Sequence, residues 1–77
     1  MAFENKNLSV LAYANGFTLW HYKSNDAIET ICNPGYFDRI RTIINHDDIF
    51  IINGKNGSSI KRLVMEDGKE TKLQKLN

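Results

Sequence analysis

The stretch Leu8-Ser9-Val10-Leu11-Ala12-Tyr13-Ala14-Asn15-Gly16-Phe17-Thr18-Leu19-Trp20-His21-Tyr22-Lys23 decides the fold class. Two runs rich in aromatic and branched residues flank Asn-Gly, and that dipeptide suits a type I′ turn, which needs positive φ at both central residues. The stretch therefore reads as a β-hairpin, and a two-residue loop fixes its register. Ala14 faces Phe17, Ala12 faces Leu19, Val10 faces His21 and Leu8 faces Lys23. The opposite face then carries Tyr13, Thr18, Leu11, Trp20, Ser9 and Tyr22. Both faces are substantially apolar, whereas a surface hairpin normally keeps one face wet. The face with Leu11, Tyr13, Trp20 and Tyr22 needs a cover. That cover comes from another chain, or from helix 26–32 or the Ile49–Ile52 run of the same chain. These four residues are the interface candidates.

Outward from the hairpin, residues 1–7 are polar and read as a flexible N-terminal arm, leaving 8–77 as a single small β-rich domain. Residues 26–32 read as a short helix, with Asp26 as its cap and Glu29 three positions on, stopped by Asn33-Pro34-Gly35. Apolar residues at 36, 37, 40, 43 and 44 suit a second helical turn. Asn45-His46-Asp47-Asp48 reads as a turn. Ile49-Phe50-Ile51-Ile52 reads as a central strand buried on both sides, and 53–58 as a loop by composition. Ser59–Glu66 and Lys69–Leu76 flank Asp67-Gly68, a second hairpin signal, with Val64 facing Thr71, Arg62 facing Leu73 and Ile60 facing Lys75. The expected fold is mostly β, a small five-stranded meander or open barrel with one or two short helices.

Length limits what such a domain does alone. Seventy-seven residues make one domain with a marginal core, which needs good packing, a covalent or metal staple, or a partner. The single cysteine, Cys32, forms no intrachain disulfide, and Cys32, His21 and His46 lack the spacing of a structural zinc site. A hydrophobic fraction of 42% fits a folded chain, and a net charge of +1 gives no strong pull toward nucleic acid or membrane. No apolar run nears the ~20 residues of a membrane span. The start has neither the basic nor the apolar region of a signal peptide, and a lone thiol suits a reducing compartment.

The residues offer no active site. His21 sits mid-strand with no nominated nucleophile or acid. His46, Asp47 and Asp48 are adjacent in one turn, and neighbours in a turn rarely converge on one ion. Cys32 lies at the C-terminal end of its helix, where nothing activates a thiolate. Gly54-Lys55-Asn56-Gly57-Ser58-Ser59 fails the spacing of a phosphate-binding loop. No enzyme activity, cofactor or metal is expected. Trp20, Tyr22 and Lys23 also form an aromatic and basic strand of the kind that stacks single-stranded nucleic acid. The near balance of ten basic and nine acidic residues weighs against that alternative.

Residues 8–23, followed by Asp26, Gly35-Tyr36-Phe37 and the Ile49–Ile52 run, resemble small uncharacterised proteins encoded in phages and prophages of alphaproteobacteria. In these a similar AYANGFTLWHY segment leads to an acidic helix start, a GYF motif and a Gly-Asp turn before an apolar strand. The resemblance covers most of the chain. It implies a small structural protein of phage or prophage origin, self-assembling or attached to other virion proteins as a head-decoration or fibre-associated component. The expected location is then the host cytoplasm or the virion, and the expected partners are copies of the chain and other phage structural proteins. Two departures stand out. Asp47 occupies the place of the turn's glycine, which implies another turn geometry, and the stretch from Phe37 to Asp48 is richer in charge and isoleucine.

Overall fold

The computed structural model describes residues 3–76; Met1 and Ala2 of the N-terminal arm and Asn77 of the domain lie outside the described residues. The architecture is mostly β, as the sequence indicates. Strands β1 (Leu8–Ala14), β2 (Phe17–Lys23), β3 (Ile49–Gly54), β4 (Gly57–Val64) and β5 (Lys72–Lys75) form one open mixed sheet in the order β1-β2-β3-β4-β5. Among the described residues the helical content is one short helix, α1 (Ile28–Ile31), with 3-10 turns at Asn5–Asn7 and Asp38–Ile40.

Strand order follows the sequence, but the sheet is not a plain meander. β2 and β3 run parallel, so the chain must cross from one end of the sheet to the other. Residues 24–48 make that crossing and carry α1 and the Asp38–Ile40 turn. They also bring Ile31, Phe37, Ile40 and Ile44 onto one face of the sheet, against Trp20, Tyr22, Phe50, Ile52 and Leu63. The crossing is thus the second layer of the domain, and the core lies between it and that face.

The first hairpin forms where Asn15-Gly16 places it, with a different interior. Ala14, Tyr13 and Ala12 pair with Phe17, Thr18 and Leu19, but a bulge between Val10 and Ala12 shifts the register. Val10 then faces Trp20, Ser9 faces His21 and Leu8 faces Tyr22. Of the two turn residues only Gly16 has positive φ, at +104°, so the turn is not type I′. Such turns splay their strands, and a bulge restores local twist.

Segment 53–58 is not a loop. Gly54 pairs with Gly57 across Lys55-Asn56, closing a tight hairpin between β3 and β4. Asn56 reaches from that turn to the start of α1: its Oδ1 accepts from the Ile28 amide at 2.9 Å and its Nδ2 donates to Glu29 at 3.1 Å. The expected cap, Asp26, is engaged elsewhere. Gly54 is needed for close approach. A Cβ there would lie 2.9 Å from the Asp26 carbonyl oxygen and 3.0 Å from the Ile28 nitrogen, both backbone. Gly54→Ala is therefore expected to cost about 1–3 kcal/mol, read as a lower denaturant midpoint at unchanged slope.

The β4–β5 ladder is shorter than the sequence suggests. Val64 pairs with Lys72 and Leu63 with Leu73, one residue out of the expected register. Asp67-Gly68 does turn, with the Lys69 amide bonded to the Glu66 carbonyl. The residues around it are held by the crossing instead of by each other. The Thr71 amide donates to Asp38 at 2.8 Å, the Gly35 amide donates to the Thr71 carbonyl at 2.8 Å, and Arg41 donates to the Lys69 and Glu66 carbonyls. The Thr71 amide, helped by Arg41, holds the Asp38 carboxyl below its ordinary value of 3.8. A depressed carboxyl stabilises the fold above its unfolded value and loses that contribution as pH falls through the folded one. Stability is thus expected to drop on acidification below 3.8. Melting curves between about pH 5 and pH 2 should show a shallower drop for Asp38→Asn.

The N-terminal segment is docked, not loose, from Phe3 onward. Phe3 is buried and stacks on Tyr22 at 5.3 Å. The Glu4 amide donates to the Tyr22 hydroxyl at 3.1 Å, Tyr22 and Tyr36 share a 2.9 Å hydrogen bond, and the Tyr36 hydroxyl donates to Asp26 at 2.7 Å. Burial first, then these hydrogen bonds, push the Tyr36 phenol far above its ordinary value and keep it a donor. Asp47 has φ +76°. This is the left-handed region, which aspartate tolerates better than most residues.

Candidate interaction surface

The four interface candidates separate. Trp20 and Tyr22 lie in the core. Trp20 stacks near Phe50 at 6.2 Å and donates its Nε1–H to Asp48 at 2.9 Å; Tyr22 is enclosed by Phe3, Tyr36 and Phe37. Their cover is the docked N-terminal segment and the crossing, with Ile31 of α1 contributing. Leu11 and Tyr13 stay exposed, at 53% and 82%, on edge strand β1. The same burial dismantles the nucleic-acid set: both rings are sealed and only Lys23 remains exposed.

The surface that needs explaining is the other face of the sheet. Side chains alternate along strands, and the buried Trp20, Tyr22, Phe50, Ile52 and Leu63 fix which set points inward. The alternate set is Phe17, Leu19 and His21 on β2, Ile49, Ile51 and Asn53 on β3, Ser58, Ile60 and Arg62 on β4. None of these nine is buried. Leu19 aligns with Ile49 and Ile49 with Arg62, while His21 aligns with Ile51 and Ile51 with Ile60. The apolar members therefore form a continuous patch across three strands. β3 is the central strand expected from its composition, but only one of its faces is covered: Phe50 and Ile52 are buried, Ile49 and Ile51 partly exposed.

Charge is segregated as well. The strands carry Lys23, Lys61, Arg62, Lys72 and Lys75 and no aspartate or glutamate. The acidic residues lie in the N-terminal segment, the crossing and the 66–70 loop. On the uncovered face Arg62 is matched by Asp47 at 3.4 Å and by Gln74.

A polar corner closes the patch at one end. The Asn53 Nδ2 donates to His21 Nε2 at 2.8 Å, and the Ser58 hydroxyl donates to Asn53 Oδ1. Ser58 thus gives its proton to an amide, not to the imidazole, and the pair is not a nucleophile set against a base. Beside it an open hollow of about 630 Å³ lies among Glu4, Asn7, His21, Lys23 and Asp26. The Asp26 carboxylate in it is already taken by Tyr36.

The remaining sequence candidates are also tied to structure. His46 Nδ1 accepts from the Met65 amide, Asp47 pairs with His46 and Arg62, and Asp48 turns inward to Trp20. The three side chains of that turn do not converge. Among the described residues no group of three or more His, Cys, Asp or Glu side chains is placed to hold a metal ion. Burial raises the Cys32 thiol above its ordinary value, the opposite of what a reactive thiolate needs. Among the described residues no helix is long and apolar enough to cross a membrane.

Sequence reasoning placed Asp48 in a charged turn and missed its inward role: it is fully buried and accepts from the Thr18 amide, the Trp20 indole and the Asn45 amide at 2.9–3.0 Å. Its signal was faint: an acidic residue directly before an apolar strand. The uncovered face was present in the sequence as Phe17, Leu19, Ile49 and Ile51, but the crossing that leaves it bare was not. Comparison with family models, with curated proteins and with solved structures finds no match.

Proposed function

We propose that this chain is a small assembly protein, acting by packing against other protein chains and first against copies of itself. The observation that carries the reading is the uncovered apolar sheet face. A domain of this size has little core to spare, yet isoleucines stand on the open side of its central strand. The likeness of residues 8–23 and 35–37 to phage- and prophage-encoded proteins supports a virion component, attached to a particle or to other phage structural proteins. His21 is bonded to Asn53, His46 to the Met65 amide and Asp48 to the Trp20 indole. Sedimentation of the unaltered chain tests the reading: self-association raises its apparent mass with concentration. A mass of 8.8 kDa at every concentration up to hundreds of micromolar contradicts self-assembly. Genes for capsid or tail proteins beside the coding sequence support the virion context, and their absence counts against it.

A second reading, binding of single-stranded nucleic acid, is favoured by one observation, the all-basic charge of the strands. With Trp20 and Tyr22 sealed it rests on Lys23 and its neighbours. It requires oligonucleotide binding that weakens steeply with salt, and no binding at low salt removes it.

A further inference from the structure

We infer that the uncovered sheet face is the contact surface for a second copy of this chain, the two sheets packing face to face. The inference rests on the assembly reading and gives it a surface.

Three observations point to this occupant. The patch is continuous and apolar at its centre, where Leu19 aligns with Ile49 and Ile51 with Ile60. Interdigitating side chains of two such faces make the interior of a β-sandwich, with sheets about 10 Å apart. Its charges suit self-contact. A two-fold contact sets a patch against itself, so an unpaired central charge would meet its own copy. Arg62 is matched within the chain by Asp47, while Lys23 ends β2 and Lys72 begins edge strand β5. Like charges are thus kept to the rim. The area is also sufficient. The whole face of the sheet, β1 and β5 included, with strands about 4.8 Å apart and about 13–26 Å long, presents about 500 Å² per copy. The pair then buries about 1,000 Å², the lower bound of a specific interface.

The exposed edge of β1 is the competing surface, because it carries no charged residue to block pairing with another strand. Its bulge at Leu11 argues against it, since a bulge breaks the regular ladder that edge pairing extends.

Light scattering across about 1–500 µM on four proteins decides: the unaltered chain, Ile51→Lys and Ile60→Glu on the face, and Leu11→Lys on the edge. Buried Trp20 reports folding of each by its fluorescence. The expected result is a mass rising from 8.8 kDa toward twice that for the unaltered chain and for Leu11→Lys. Both face variants should stay monomeric, with dissociation constants raised at least about tenfold. Should Ile51→Lys unfold, Ile60→Glu decides, because Ile60 is half exposed. Folded face variants that still dimerise overturn the inference while leaving assembly intact. Loss of dimerisation in Leu11→Lys alone moves the contact to the β1 edge. A monomeric unaltered chain overturns the inference and self-assembly together.

Discussion

Asp48→Ala is expected to destabilise the chain by about 2–4 kcal/mol, because it removes one acceptor group from three donors at once. The Asp48 Oδ1 takes the Thr18 amide at 3.0 Å; Oδ2 takes the Trp20 indole at 2.9 Å and the Asn45 amide at 3.0 Å. Asp48 is fully buried, and a buried donor left without a partner costs about 1–3 kcal/mol. Backbone relaxation and water entry keep the total below a simple sum. The position also has a topological role. Asp48 immediately precedes β3, Thr18 and Trp20 lie on β2, and the Leu63 amide of β4 donates to the Asp48 carbonyl at 2.8 Å. One residue thus joins the start of β3 to both neighbours where the parallel pairing begins. Asp48→Asn retains at most two of the three side-chain bonds and should cost less than alanine. Denaturant melts followed by Trp20 fluorescence measure both, and an unchanged midpoint in Asp48→Ala would refute this role.

Phe37→Ala has the largest expected effect, about 3–5 kcal/mol. Its ring is almost fully buried, with centroids 4.9 Å from Phe50, 5.1 Å from Tyr36, 5.3 Å from Tyr22 and 5.5 Å from Phe3. It thereby ties the crossing to β2, β3 and the N-terminal segment together. A domain of this length is stable by about 4–12 kcal/mol, so the loss spans much of the total. Far-UV circular dichroism should show a large drop in melting temperature or an unfolded chain, whereas Phe37→Leu should lose less than about half as much.

The sequence revealed elements better than it revealed their partners. Asn15-Gly16 located the first hairpin, and the apolar run 49–52 located the central strand. The bulge could not be seen, because nothing in Val10-Leu11-Ala12 marks an extra residue. It carried Val10 and Leu8 to the side of Trp20 and Tyr22. The parallel pairing of β2 with β3 was hidden too, since an apolar run looks the same in either direction. Residues 53–58 have loop composition because Gly54 is required by the close approach of Asp26 and Ile28, not because the backbone wanders. The Asp67-Gly68 hairpin was half right: its turn forms, but Asp38, Gly35, His46 and Arg41 compete for the groups that would extend its ladder. The sequence pattern marks Leu11, Tyr13, Trp20 and Tyr22 as the face in need of cover. Phe3 and the crossing cover Trp20 and Tyr22, which leaves the opposite face, around Ile49 and Ile51, without cover.

That face carries the functional account, and intermolecular contact is its most direct test. In a mixture of isotope-labelled and unlabelled chains, filtered nuclear Overhauser spectra report only contacts between copies. Such contacts are expected on the methyl groups of Leu19, Ile49, Ile51 and Ile60. Contacts confined to the β1 residues, or none at concentrations where the chain is shown to associate, would contradict it.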